Sequence, residues 1–288
     1  MAETYDRTRG DTGNIVALEH VNVTVPDQRP ATAFYIAGMG FTRDPYVQVG
    51  LDNMWVNIGR SQCHLPNGSP MRLRGTIGVV VPDLGELAQR LKKVTPWLKD
   101  TQFGFQVHPD RIEATCPWGN RFRCHAPSPA FGPADLALAY VEFEVPRGAT
   151  GAIARFYREA LRATAATDAR GGDALARVDA GASQQLLFRE TSEPLPPYDN
   201  HHIQIYIADF SGPHRFLSER GLITEESNEH QYRFRDIVDL DSGKLLFTIE
   251  HEVRSLRNPL YARPLVNRNP AQTNAAYTRG HDAFRGTY

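Results

Sequence analysis

Two histidines open matching stretches of this chain: His202 heads "HIQIYIAD" and His20 heads "HVNVTVPD". Behind His202, Gln204 and Tyr206 follow at every second position; behind His20 come Asn22 and Thr24. A third stretch, "YVEFEVPR", carries Tyr140, Glu142 and Glu144 at the same spacing. Side chains alternate between the two faces of a strand, so each set shares one face. Imidazoles, phenols and carboxylates on a common face can ligate a cation or move protons. Such a face either meets water or lines a concave site, and alternation alone leaves both open.

The elements that would position these groups repeat. The opposite faces are aliphatic: Val21, Val23 and Val25; Val141, Phe143 and Val145; Ile203, Ile205 and Ile207. A fourth stretch, "TIGVVVPD" from Thr76, has the same form without titratable groups. Each strand precedes a stretch able to form an amphipathic helix, roughly 28–38, 84–94, 150–162 and 212–220, against which the aliphatic face should pack. Shorter strand-like runs follow, broken by glycine and aspartate, such as "NMWVNIG" and "QYRFRDIVDLDSGKLLFTIEHEV". The pattern predicts an α+β protein of four βαβββ modules. Two modules are expected to form a domain: residues 14–126 an N-terminal one, residues 135–253 a C-terminal one. The boundary falls in the Pro/Gly-rich "APSPAFGPA".

The 288 residues fit two domains of ordinary size, and 41% hydrophobic with 23% charged residues fits a globular chain. A net charge of −1 gives no case for nucleic acid or an anionic membrane. The N-terminal stretch has no secretory h-region, and no apolar run is long enough to span a bilayer. Three cysteines without CxxC spacing point to a reducing cytoplasm. Residues 254–288 differ, with six arginines against one aspartate and three prolines. They are expected to form an arginine-rich arm over a pocket or a neighbouring subunit, and a homodimer is expected. Motifs for acyl transfer or nucleotide chemistry are missing.

With its four repeats, its His-led alternating strands ending in Asp, and its glycine turns "CPWGN" and "LDSGK", the chain resembles the vicinal oxygen chelate superfamily. That group includes glyoxalase I, bleomycin-resistance proteins and extradiol dioxygenases. The resemblance spans about residues 14–253. It implies modules paired into two half-barrel domains, a divalent metal, and a small-molecule substrate that chelates it through neighbouring oxygens. In two-domain extradiol enzymes, two first-strand histidines and one closing-strand glutamate of the C-terminal domain hold the iron. Those positions map here to Tyr140, His202 and, counted from the glycine turn, Phe247.

Parity counted this way turns Phe247, Ile249 and His251 to the cleft, whereas a bulge or register shift would turn Glu250 there instead. The expected metal set is therefore His202, Glu250 and Glu142, suited to Fe(II) first and to Mn(II), Zn(II) or Ni(II) otherwise. Tyr140, Tyr206 and His251 are the expected catalytic groups; Gln204, Tyr232 and Arg233 are expected to bind substrate. His201 should face the helix. His20 reads as a remnant of a first-domain site, with His64 as its one companion. The resemblance implies an extradiol-dioxygenase-like oxidoreductase acting on a catechol-like aromatic. A glyoxalase- or epimerase-like isomerase or lyase, and a metal-free resistance-type binding protein, are the alternatives.

Overall fold

The computed structural model describes residues 5–45, 52–170 and 173–266. The first module comprises β1 (Ile15–Asn22), α1 (Gln28–Ala31, continued as a π-helix over Thr32–Gly38), β2 (Thr42–Arg43), β3 (Asn53–Ile58) and β4 (Ser61–Pro66). The second comprises β5 (Gly75–Val80), α2 (Leu84–Leu98), β6 (Gly104–Val107), β7 (Arg111–Thr115) and β8 (Arg121–His125). The third holds β9 (Ala137–Pro146), α3 (Thr150–Ala160), β10 (Ala165–Arg170), β11 (Asp173–Ala180) and β12 (Gln184–Thr191). The fourth holds β13 (His202–Ile207), α4 (Ser211–Ser218), β14 (Ile223–Asn228), β15 (Gln231–Val238) and β16 (Leu245–Ser255). The βαβββ reading and all four helix positions are thus present.

The repeated aspartate starts the helices. Asp27 accepts from the Arg29 backbone N–H at 2.8 Å, Asp83 from Glu86 at 2.8 Å and Asp209 from Gly212 at 3.1 Å. A carboxylate at this point satisfies amides that the first turn leaves unpaired. The third module has Arg147 there instead, and Glu190 on β12 supplies the missing acceptor to the Thr150 amide at 3.2 Å.

Modules pair differently from the sequential expectation. One eight-stranded sheet has the order β14-β15-β16-β13-β1-β4-β3-β2, and the other β10-β11-β12-β9-β5-β8-β7-β6. The first sheet joins the first and fourth modules, and the second joins the second and third. Residues 14–126 and 135–253 each contribute half of both sheets. The route of the chain explains this. Residues 67–74 cross from one sheet to the other after β4, whereas the segment between β8 and β9 lets β9 lie antiparallel to β5 in the same sheet. The chain returns to the first sheet between β12 and β13, where β13 pairs antiparallel with β1.

Helices and aliphatic strand faces share one contiguous core. Val21, Ile203, Ile205, Val141 and Phe143 are fully buried in it. Phe247, Ile249, His251 and Val253 of β16 also point into this core. The parity count that turned Phe247 and His251 to the cleft is therefore one residue out of step, and Glu250, Glu252 and Arg254 take the open face. A register irregularity between β15 and β16, at Ile237 and Val238 opposite Phe247 and Leu245, lies at the start of this stretch. A slip of one residue exchanges every side chain between faces. Of the C-terminal arm expected over 254–288, residues 254–266 are described, the first two as the end of β16: Tyr261 meets Tyr206 edge-on at 4.9 Å, and Arg263 pairs with Asp44 at 2.7 Å. Residues 267–288 lie outside the described residues.

Candidate metal centre

On the open face of the first sheet, β4, β1, β13 and β16 lie side by side. Asn22 stands opposite His202, and His20 opposite Gln204. In the parallel pairs on either side, Asn22 faces His64 and Gln204 faces Glu252. The closing-strand residues His64 and Glu252 thus occupy equivalent positions about the β1–β13 axis. One donor atom each from His20, His202 and Glu252 falls within 4.8 Å of the other two, and all three residues are buried. The rings of His20 and His202 are 5.7 Å apart, and those of His20 and His64 5.9 Å. His202 places Nδ1 3.6 Å from Glu250 and Nε2 3.7 Å from Glu252.

The backbone helps to aim His20. Strand β1 takes one residue more than β13 between Leu18 and His20, a bulge at Glu19. Glu19 Oε2 is 2.5 Å from His20 Nδ1. With Nδ1 donating to that carboxylate, the lone pair lies on Nε2, which is buried without a hydrogen-bond partner. A carboxylate behind a histidine in this way fixes the tautomer and raises the basicity of the outer nitrogen. His64 is stacked on Trp55 at 3.8 Å, and its Nδ1 meets the Asn22 amide at 2.6 Å.

Electrostatics keep the outer imidazoles neutral. Burial, reinforced by His20, His64 and the nearby Arg233, pushes His202 well below the usual histidine range. Burial, with His20, Arg254 and Arg233 nearby, takes His64 down to about 2. Burial alone would raise the Glu19 carboxyl, but His20, Arg254 and Arg263 hold it below its ordinary value. Neutral imidazoles and ionised carboxylates are the forms that ligate metals. Arg233 reaches Glu250 and Glu252 at 2.5 Å each, and Arg254 reaches Glu252 at 2.5 Å.

A buried polar atom without a partner is costly. Here the Nε2 atoms of His20, His64 and His202, both amide atoms of Gln204 and the Tyr206 hydroxyl are all of this kind. The orphaned Nε2 atoms of His20 and His202 beside Glu252 fit a bound divalent cation. Two imidazoles and one carboxylate with other positions open are the donor set of non-haem Fe(II) sites.

The residues expected from sequence divide between the sheets. His202, Glu250, Gln204, Tyr206 and Arg233 are together on the first sheet. Glu142 and Tyr140 are on β9 of the second, where Glu142 pairs with Arg189 at 2.9 Å and Tyr140 meets His125 at 2.9 Å. His251 is in the core, 2.6 Å from the Tyr157 hydroxyl and stacked on Phe234 at 4.2 Å. Tyr232 is in the core as well, against Phe210 and His214. His201 faces inward as expected and meets Asp199 at 2.6 Å. His20 and Glu252 were not in the expected set. The signal for His20 was its match to His202; the signal for Glu252 was its two-residue spacing from Glu250.

A cavity of about 360 Å³ reaches Glu19, behind His20, and Tyr206, with Leu18, Leu138, Leu260 and Tyr261 among its walls; His20, His202 and Glu252 do not line it. No helix among the described residues is long and apolar enough to cross a membrane.

No family model matches this chain, and no curated protein matches it by sequence. Solved structures do match. Glyoxalase I from Zea mays superposes with a TM-score of 0.58 at 13% identity, over 83% of this chain and 92% of that one. A Bacillus subtilis protein described as a dioxygenase gives a TM-score of 0.57 at 12% identity, over 85% and 86%. A mutant form of the Zea mays enzyme gives 0.57 at 14% identity, over 83% and 92%. The chain therefore shares the fold of glyoxalase I, with four βαβββ modules paired into two half-barrels.

Proposed function

We propose that this chain is a divalent-metal-dependent oxidoreductase of the extradiol-dioxygenase type, acting on a small catechol-like aromatic. The observation that carries this reading is the buried trio His20, His202 and Glu252 on adjacent strands β1, β13 and β16. It supplies two first-strand histidines and one closing-strand glutamate, with the first module standing where the third was expected. These three residues would hold the ion, Fe(II) by preference for this donor set. When bound, the ion supplies Lewis acidity toward adjacent substrate oxygens and, as iron, redox chemistry.

The other residues bind and orient. Arg233 and Arg254 bring positive charge to the face where a deprotonated catechol oxygen would lie. Gln204 has a donor and an acceptor free of partners inside the site. Burial pushes Tyr206 up to about 12, so its hydroxyl keeps its proton at neutral pH and can donate it in a hydrogen bond. The cavity that reaches Glu19 and Tyr206 has apolar walls, Leu18, Leu138, Leu260 and Tyr261, that suit an aromatic ring. Three buried, unpaired cysteines support a reducing compartment, as Fe(II) chemistry requires.

The test is anaerobic loading with Fe(II), followed by oxygen uptake with a panel of catechols. One equivalent of bound metal and catechol-dependent oxygen uptake are expected. Bound metal with no oxygen uptake on any catechol would instead favour the isomerase or lyase reading. Absence of stoichiometric binding by any divalent ion would overturn metal dependence.

A further inference from the structure

The second half-barrel keeps the cleft and replaces the ligands. Thr76 faces Glu142 and Gly78 faces Tyr140 across β5–β9, as His20 faces Gln204 and Asn22 faces His202 across β1–β13. On the flanks, Arg123 of β8 stands opposite Gly78, and Leu187 of β12 opposite Glu142. The positions of His20, His64, His202 and Glu252 are therefore taken by Thr76, Arg123, Tyr140 and Leu187. This set cannot hold a divalent metal, since it has neither imidazole nor carboxylate.

The cleft has not filled in, however. It encloses about 570 Å³, within the range of small-molecule sites, and is lined by Arg123, Tyr140, Phe131, Leu175 and Leu187 among others. Gly78 helps to shape it: a Cβ there would meet the Tyr140 ring at 2.2 Å, so glycine is what allows that ring to lie across β5. The Tyr140 hydroxyl is held by His125 Nε2 at 2.9 Å, and Phe131 packs on the His125 ring at 4.6 Å.

The charges are unevenly matched. Arg189 holds Glu142 at 2.9 Å, and Arg177 holds Asp168 at 3.0 Å. Arg123 meets the Tyr140 hydroxyl, but its nearest carboxylates are at 3.5 Å (Glu113) and 3.8 Å (Glu142). A guanidinium so loosely matched in a half-buried cleft gains from a closer, bidentate carboxylate.

We infer that the second half-barrel is a metal-independent binding site for a small organic carboxylate with an apolar or aromatic body. Arg123 takes the carboxylate, Tyr140 offers its hydroxyl, and Phe131, Leu175 and Leu187 cover the body. This site is separate from the metal centre and does not depend on the reaction proposed there.

The test is calorimetric titration of the full-length, chelator-treated protein with benzoate. Saturable one-to-one binding is expected. Arg123→Gln should weaken it at least tenfold, whereas Arg233→Gln on the other sheet should leave it unchanged. Leu187→Trp, which fills the cavity and leaves its charges alone, should weaken it similarly and guards against misfolding of the arginine variant. No saturable binding up to the millimolar range, or binding sensitive to Arg233→Gln and indifferent to both Arg123→Gln and Leu187→Trp, would overturn the inference.

Discussion

His20 and His202 lie diagonally across antiparallel neighbouring strands, ring centroids 5.7 Å apart, although they belong to the first and last modules of the chain. Glu252 reaches the same point from the strand beyond. The site is thus assembled from the two ends of the folded sequence.

Replacing either histidine should empty the site. His20→Ala and His202→Ala are each expected to lower divalent-metal affinity by more than the ~10–100-fold typical of residues one layer out. Glu142→Gln, on the other sheet, should keep full stoichiometry. Elemental analysis after reloading and desalting would decide. Retained metal in both histidine variants would contradict the assignment.

Glu19 should matter through His20. Its carboxylate lies 2.5 Å from His20 Nδ1 and fixes which nitrogen faces the cluster. Glu19→Gln is expected to weaken metal binding by ~10–100-fold with the fold intact. Competition against a chelating dye measures this, with a thermal melt of the metal-free protein as control. An unchanged dissociation constant would show that the bulge does not aim the ring.

Phe247 should be purely a core residue. It is 3% exposed and packs on Phe143 and Phe188 at 5.7 and 6.2 Å. Phe247→Ala should cost about 3–5 kcal/mol of stability, the usual penalty for an emptied aromatic site. Urea denaturation would show it, and the variant that still folds should bind metal as the parent does.

Acid should destabilise the metal-free protein partly through His251. Burial takes this imidazole down to about 3. Its folded value lies below its unfolded one, so between roughly pH 6.5 and 3 the unfolded chain holds the extra proton. The stability from neutral His251 is complete above pH 6.5 and falls steadily as the pH drops toward 3. His251→Phe lacks this dependence but leaves the Tyr157 hydroxyl without its partner. Its melting temperature should start below that of the parent at about pH 8, and the gap should narrow toward about pH 4. A gap that stays constant would refute the linkage.

Much of the fold was legible because its determinants are local. The alternation in 20–25 and 202–207 marked two strands, of which the first runs from Ile15 to Asn22, since alternation of period two is a property of the backbone. Asp27, Asp83 and Asp209 recur because each caps the helix that follows. The site was less legible. His202, Gln204 and Tyr206 share a face by simple counting, but the far end of the module defeated the count. The register irregularity beside β16 sits between the glycine turn and the site, so parity carried from the turn put His251 where Glu252 stands. Tyr232 shows the same limit: it was expected to bind substrate, but its ring is buried against Phe210.

The sequence by itself determined four modules, their helices, and which face of each first strand is apolar. Only the tertiary structure decided which modules share a sheet. Strand pairing depends on contacts between residues far apart in the chain, which no local pattern encodes. Pairing the first module with the fourth turns His20 from an isolated remnant into the partner of His202 and Glu252. Pairing the second with the third carries Tyr140 and Glu142 to a separate cleft.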